Sequence, residues 1–235
     1  MLEPLGAQVW RGICHLGYSL HMDVAAIPWF AALEPGLRAE LIGRGRMKRC
    51  SAGEWLHGEG DEDTGLIAVM KGALHLYCQA PGGRQVLFGM LPAGTVMGQS
   101  AVLGGGPRLV TAIAAAECEL FLLSDRALRD AAAKHPMLWR SLSTLVYGQL
   151  RAALQGWAEA VGMAPRERMI SRLLLMSADG RAVPLSQATL AEMVGVTRKA
   201  VNGWLGELER RRLVALGYGR IEVRDRAGLE RMLAD

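Results

Sequence analysis

The segment Leu185–Glu209, LSQATLAEMVGVTRKAVNGWLGELE, holds the residue types in this chain best suited to recognising another molecule. Thr197 is placed to cap a helix, because its hydroxyl can accept from the free N–H groups of the first turn. Arg198, Lys199 and Asn202 then lie together on the first turns of that helix. Arginine can donate two bonds to O6 and N7 of guanine, asparagine can bond adenine twice, and lysine can donate to guanine acceptors or to a phosphate. The same residues would also suit a solvated helix face. A cationic first turn, however, meets the positive end of the helix dipole, and an anionic partner relieves that repulsion.

Such a helix needs a platform. Ser186 can cap a preceding short helix and Gly195 can end it, since glycine takes a left-handed conformation without steric penalty. Ala191 is small where two helices must cross closely, and Val201 and Trp204 supply apolar surface to the inner side of the second helix. These requirements define a helix-turn-helix. Ser186, Gln187 and Thr189, at the start of the first helix, are candidate phosphate contacts through hydroxyl, amide and backbone N–H groups. A strand at Leu213–Leu216, a turn at Gly217-Tyr218-Gly219 and a strand at Arg220–Val223 form a β-hairpin wing. Arg210-Arg211-Arg212 before the wing has two readings, phosphate contact or complement to a helix C-terminus.

Charge supports an anionic partner. Lys and Arg balance Asp and Glu at 14 each over residues 1–163, whereas residues 164–235 hold 13 basic and 9 acidic residues. The net charge of +4 therefore resides in the last third, as expected of a nucleic-acid-binding end. With 51% hydrophobic and 21% charged residues the chain is globular and long enough for two domains. The most apolar segment, Leu109–Leu123, is short and interrupted by Glu117 and Glu119, so no membrane partner is expected. No basic region followed by an apolar run opens the sequence, and a cytoplasmic location follows as the expectation. Cys14, Cys50, Cys78 and Cys118 form no C-x-x-C pair and read as buried thiols. His57 and Glu59 are the one close pair of metal-ligand type, too few for a cupin-like metal enzyme. No catalytic residues, metal or cofactor are expected.

Arg46–Ser124 consists of short apolar runs separated by glycines, a pattern of β-sandwich or barrel, with Gly82-Gly83 as a hairpin turn. Ser124 caps a short helix from Asp125. A longer helix follows His135-Pro136 and carries Leu138, Leu142, Val146, Leu150, Ala153, Trp157 and Val161 as an apolar stripe that fits pairing with a second copy. Gly162-Met163-Ala164-Pro165 reads as a hinge. Arg166–Ser177 reads as a helix.

The chain resembles the Crp/Fnr family (cyclic-AMP receptor protein and fumarate-nitrate regulator) from about Ile27 to Leu233. The resemblance is carried by Pro28-Trp29-Phe30, Ala52-Gly53-Glu54, Gly58-Glu59-Gly60-Asp61, Gly72, Met97-Gly98-Gln99, the Arg108 region, Glu119 and the TRKAVN helix. It implies an α+β fold: an N-terminal β-roll of the cyclic-nucleotide-binding jelly-roll kind over 1–134, a long dimerisation helix and hinge over 135–163, and a C-terminal winged helix-turn-helix over 164–235. It further implies a homodimeric transcription regulator on palindromic double-stranded DNA, with RNA polymerase as a partner. The effector pocket falls at Gly98, Gln99, Arg108 and Leu109. There the family's glutamate and serine are replaced by Gln99 and Leu109 while the arginine remains as Arg108, and the adenine-contacting positions fall near Ala153 and Leu154. Cyclic-AMP control is therefore not expected. Arg108 either serves another small-molecule effector or pairs with an internal carboxylate, and a β-roll that senses nothing is the alternative. Nor do the cysteines or His57 and His75 match the family's iron-sulfur or haem sites. Lys199 stands where a glutamate is common and Gly203 where an arginine is, so the operator cannot be borrowed.

Overall fold

Eight short strands fold between Arg46 and Ser124 because turns, glycine-bearing in every case but Ala115-Ala116-Glu117 between the last two, break each apolar run before it can lengthen: β1 (Arg46–Cys50), β2 (Trp55–His57), β3 (Gly65–Lys71), β4 (Ala73–Ala80), β5 (Arg84–Pro92), β6 (Val96–Met97), β7 (Thr111–Ala114) and β8 (Cys118–Ser124). The computed structural model describes residues 23–62, 64–177, 185–217 and 219–234. Cys14 and Tyr218 lie outside them.

The strands make two antiparallel four-stranded sheets, ordered β1-β8-β3-β6 and β2-β7-β4-β5. Strand β3 is buried from Gly65 to Met70 without alternation, because both its faces are covered. Ile67 and Val69 meet Leu74, Leu76, Ala112 and Leu120 between the sheets. Leu66, Ala68 and Met70 instead meet the helices α1 (Pro28–Ala31), α2 (Pro35–Arg44), α3 (Asp125–Lys134) and α4 (Met137–Gly162) through Phe30, Leu37, Leu41, Leu128, Leu138 and Leu142. The indole N–H of Trp29 fastens α1 to α4 by donating to the Ser141 carbonyl at 2.9 Å. Ser124 caps α3 as expected, accepting from Ala127 N at 3.2 Å. The β4–β5 hairpin pairs Ala80 with Arg84, so its loop is Pro81-Gly82-Gly83, one residue longer than the glycine pair alone.

The remaining elements are α5 (Pro165–Met176), α6 (Gln187–Val194), α7 (Arg198–Arg210), β9 (Val214–Gly217), β10 (Arg220–Val223) and α8 (Arg226–Ala234). They enclose a separate core of Met169, Ile170, Leu173, Leu190, Ala191, Val201, Leu205, Leu208, Val214, Ile221 and Leu229. Residue contacts divide the chain between Arg151 and Ala152, inside α4.

Helix α4 corrects the single stripe read from sequence. Leu138 and Leu142 are fully buried, with Leu145 packed beside them, against the β-roll side of the core. Tyr147, Leu150, Leu154, Trp157 and Val161 are exposed, Trp157 at 69% and Val161 at 78%. Their spacing of three, four, three and four residues is the heptad pattern of a two-helix seam. Val146 and Ala153 border this seam, and both are exposed. Among the described residues no helix is long and apolar enough to cross a membrane.

Candidate nucleic-acid interface

The two helices of the motif are set by their ends. Ser186 Oγ accepts from Thr189 N at 3.0 Å and caps α6. Its hydroxyl also meets Thr189 Oγ1 at 2.8 Å. Gly195 ends α6 at φ +75°, a conformation that disfavours any side chain. Thr197 Oγ1 accepts from Ala200 N at 3.2 Å and starts α7 only two residues later. Ala191 and Val201 are buried in the crossing, and Trp204 packs partly buried beside them.

Burial then sorts α7 into two faces. Val201, Leu205 and Leu208 face the core, while Thr197, Arg198, Lys199, Asn202 and Gly203 are exposed. Ser186 is exposed and Gln187 and Thr189 are half-buried at the start of α6. The seven residues singled out by sequence thus gather at the N-terminal ends of two consecutive helices, where unpaired N–H groups and the helix dipoles favour an anion.

Two arginines were not resolved by sequence reasoning. Arg168 donates from Nη1 to the carbonyls of Ala160 (2.9 Å) and Met163 (3.2 Å), and from Nη2 to that of Val194 (3.2 Å). It therefore ties the ends of α4 and α6 to α5 and braces the segment read as a hinge. Its sequence signal is a guanidinium five residues beyond Met163, near the end of α4, and the approach to Val194, 26 residues further on, exists only in the folded chain. Arg212 has φ +59° and is the non-glycine residue with positive φ among those described. It follows α7 as the left-handed residue of a closing turn in which Leu213 N donates to Leu208 O at 2.9 Å.

In the β-roll, Gly98 has φ +94°, and a Cβ there would lie 2.5 Å from Arg108 Nη1 and 2.2 Å from Gly65 O. Arg108 Nη1 donates to Gly65 O at 2.9 Å. Gln99 is buried and donates from Nε2 to Gln149 Oε1 at 2.7 Å, while Gln149 reaches Val96 O at 3.3 Å. Gln99 Oε1 is buried without a partner among the described residues. Leu109 is 69% exposed, so it does not join Gly98, Gln99 and Arg108. Ala153 and Leu154 are exposed on α4. Of the thiols, Cys50 and Cys118 are buried and Cys78 is only partly so, which corrects the expectation for that residue.

His57 is buried on β2. Burial, with the Arg108 charge second, lowers its pKa to about 4. The unfolded chain, with a pKa near ~6.5, therefore binds the proton more readily. Stability is complete above that value and falls as pH drops toward 4. Urea unfolding at pH 7 and pH 5 should differ by about 2 kcal/mol from this residue. His57→Leu should remove most of the slope, and His75, lowered by burial in the same direction, leaves a remainder. An unchanged slope in His57→Leu would place the effect elsewhere.

A double-sheet roll joined in sequence to a winged helix-turn-helix with an exposed cationic recognition helix defines a two-module DNA-binding regulator. Residues 47–135 match the family model of the cyclic nucleotide-binding domain, and residues 167–232 match that of the Crp-like helix-turn-helix domain. The HTH-type transcriptional regulator Cmr of Mycobacterium tuberculosis is 31% identical over 146 residues, 62% of this chain and 59% of that protein. The chain thus spans about three-fifths of the length of that relative. The cyclic AMP receptor protein of Thermus thermophilus is 29% identical over 180 residues, 73% of this chain and 81% of that protein. Among solved structures, FixK2 from Bradyrhizobium japonicum shares the fold with a TM-score of 0.73 at 22% identity, covering 80% of this chain and 96% of that one. The chain belongs to the Crp/Fnr family of transcription regulators.

Proposed function

We propose that the protein acts in the cytoplasm as a homodimer that binds an imperfect palindrome of double-stranded DNA and regulates transcription there, in concert with RNA polymerase. The observation that carries this reading is the division of α7 into a buried apolar face and an exposed face holding Arg198, Lys199 and Asn202. The N-terminal part of such a helix enters the major groove and meets base edges. Ser186, Gln187, Thr189 and Thr197 hold phosphates and set the orientation. The heptad seam on α4 pairs two copies, so half-sites lie about one helical turn, ~34 Å, apart. In this reading residues 1–134 are the sensor, 135–163 the dimerisation helix and hinge, and 164–235 the DNA-binding domain. Selection from a random DNA pool tests it: an inverted repeat supports the reading, and a pool without enrichment ends it.

The relatives include a cyclic AMP receptor protein, but Gln99 is engaged with Gln149 and Leu109 faces solvent. Cyclic AMP should therefore leave the melting temperature unchanged, since a ligand that binds the native state must raise it. A different small effector at Gly98, Gln99 and Arg108 is a second reading, favoured by the buried, unpartnered Gln99 Oε1.

Arg212 contributes a phosphate contact at the base of the wing. A side chain in the left-handed region destabilises the fold by about 1 kcal/mol relative to glycine, and a phosphate partner for the exposed Arg212 guanidinium offsets that strain in the DNA complex. Arg212→Gly should raise the melting temperature while weakening DNA binding evenly across sequences and lowering the salt slope by about one per protomer. Equal DNA affinity in the variant would return Arg212 to a purely structural role.

A further inference from the structure

Strands β1 and β8 set Cys50 directly opposite Cys118 in their antiparallel register. Both side chains enter the same cluster between the sheets, and both are free thiols. Opposed residues of an antiparallel pair share a face, with Cα atoms ~4.5–5.5 Å apart. That separation lies within the window in which two cysteines can be joined without moving the backbone. Cys118 Sγ is held by the carbonyls of Ala73 (3.1 Å) and Ala116 (3.2 Å). A cleft of about 430 Å3, lined by both cysteines together with Arg49, Ser51, Lys71, Glu117 and Glu119, opens beside the pair.

We propose that Cys50 and Cys118 are a redox-responsive pair, converted by a hydroperoxide into a cross-strand disulfide within one chain. The Cys50 thiolate attacks one peroxide oxygen, the O–O bond breaks, and a sulfenic acid forms as alcohol or water leaves. Cys118, deprotonated as it attacks, displaces hydroxide from the sulfenic sulfur: the S–S bond forms, the S–O bond breaks, and the hydroxide leaves as water with the proton Cys118 has given up. Two thiols lose two electrons and two protons, and the peroxide is reduced by two electrons. Burial is the largest influence at both thiols, and at Cys50 the Lys48 charge opposes it, which assigns the first attack to Cys50. Burial raises both thiols above their ordinary pKa, so the reaction is slow at neutral pH and accelerates as pH rises. The bridge ties the edge strand β1 to β8 and closes the chain from β2 to β7 into a loop. This restricts the unfolded chain and stabilises the β-roll.

The full-length protein is reduced, treated with hydrogen peroxide at pH 7 and 8.5, alkylated under denaturing conditions and digested with trypsin. Cys50 then lies in the peptide Cys50–Lys71 and Cys118 in Leu109–Arg126, each with a single cysteine. The expected result is a disulfide joining these two peptides, formed faster at pH 8.5 and reversed by dithiothreitol. The oxidised protein should melt several degrees above the reduced one. Cys50→Ala and Cys118→Ala should each abolish the joined species, and the wild-type readout stands without them. Separate recovery of both peptides in alkylated form overturns the proposal. So does a bridge from either residue to Cys14, to Cys78 or to another chain, and so does a lower melting temperature on oxidation.

Discussion

Arg198→Ala should bind a selected operator about a hundredfold more weakly than the wild-type protein while melting at the same temperature. One bidentate contact to guanine is worth ~1–3 kcal/mol, roughly five- to 150-fold in affinity, and a dimer loses it in both half-sites. The melting temperature should hold because Arg198 is exposed and contributes nothing to the core around Val201, Leu205 and Leu208. Affinity for random DNA should fall far less, since non-specific binding depends on phosphate neutralisation. Asn202→Ala should relax selectivity at a different base pair, by ~1–3 kcal/mol per half-site. Electrophoretic mobility titrations with the operator and with scrambled DNA at fixed salt separate these effects. An Arg198→Ala protein that binds the operator as tightly as wild type would remove this helix from the reading role.

Leu150→Glu combined with Trp157→Glu should convert the dimer to a single chain and abolish operator binding. Each large apolar side chain contributes ~1.5–3 kcal/mol when buried, and both copies carry both changes. Like charges facing one another across the seam add a desolvation penalty. Dissociation should therefore increase by roughly a thousandfold or more. A lone protomer engages one half-site and loses the linkage that makes the second contact intramolecular. Neither residue supports its own protomer, since both are exposed, whereas Leu138 and Leu142 are buried and charged substitutions there would unfold the β-roll core. Sedimentation velocity gives the readout. If the wild-type protein already sediments as one chain at micromolar concentration, or if the variant stays dimeric, the seam is not the pairing surface.

Local chemistry made the DNA-binding end legible in the chain of letters. A hydroxyl cap at Ser186, a glycine stop at Gly195 and a second cap at Thr197 act within four residues of themselves, so the helix boundaries needed no knowledge of distant partners. The exposed face of α7 followed from its periodicity. The β-roll was legible as a rhythm of turns, and the order of its strands was not, because pairing β1 with β8 and β3 with β8 joins residues far apart in sequence.

Tertiary packing decided the rest. Periodicity offered one apolar stripe on α4. Only the position of the β-roll core showed that Leu138 and Leu142 are consumed within the protomer while Leu150, Leu154, Trp157 and Val161 are left uncovered. Family likeness placed Gln99, Arg108 and Leu109 in one pocket, but side-chain direction engaged Gln99 with Gln149 and turned Leu109 to solvent. The left-handed backbone of Arg212 and the facing of Cys50 by Cys118 likewise exist only once the strands have paired and α7 has closed its last turn. Caps, turns and helical faces are written in neighbouring residues, whereas burial and cross-strand opposition depend on which distant segments the folded chain brings together.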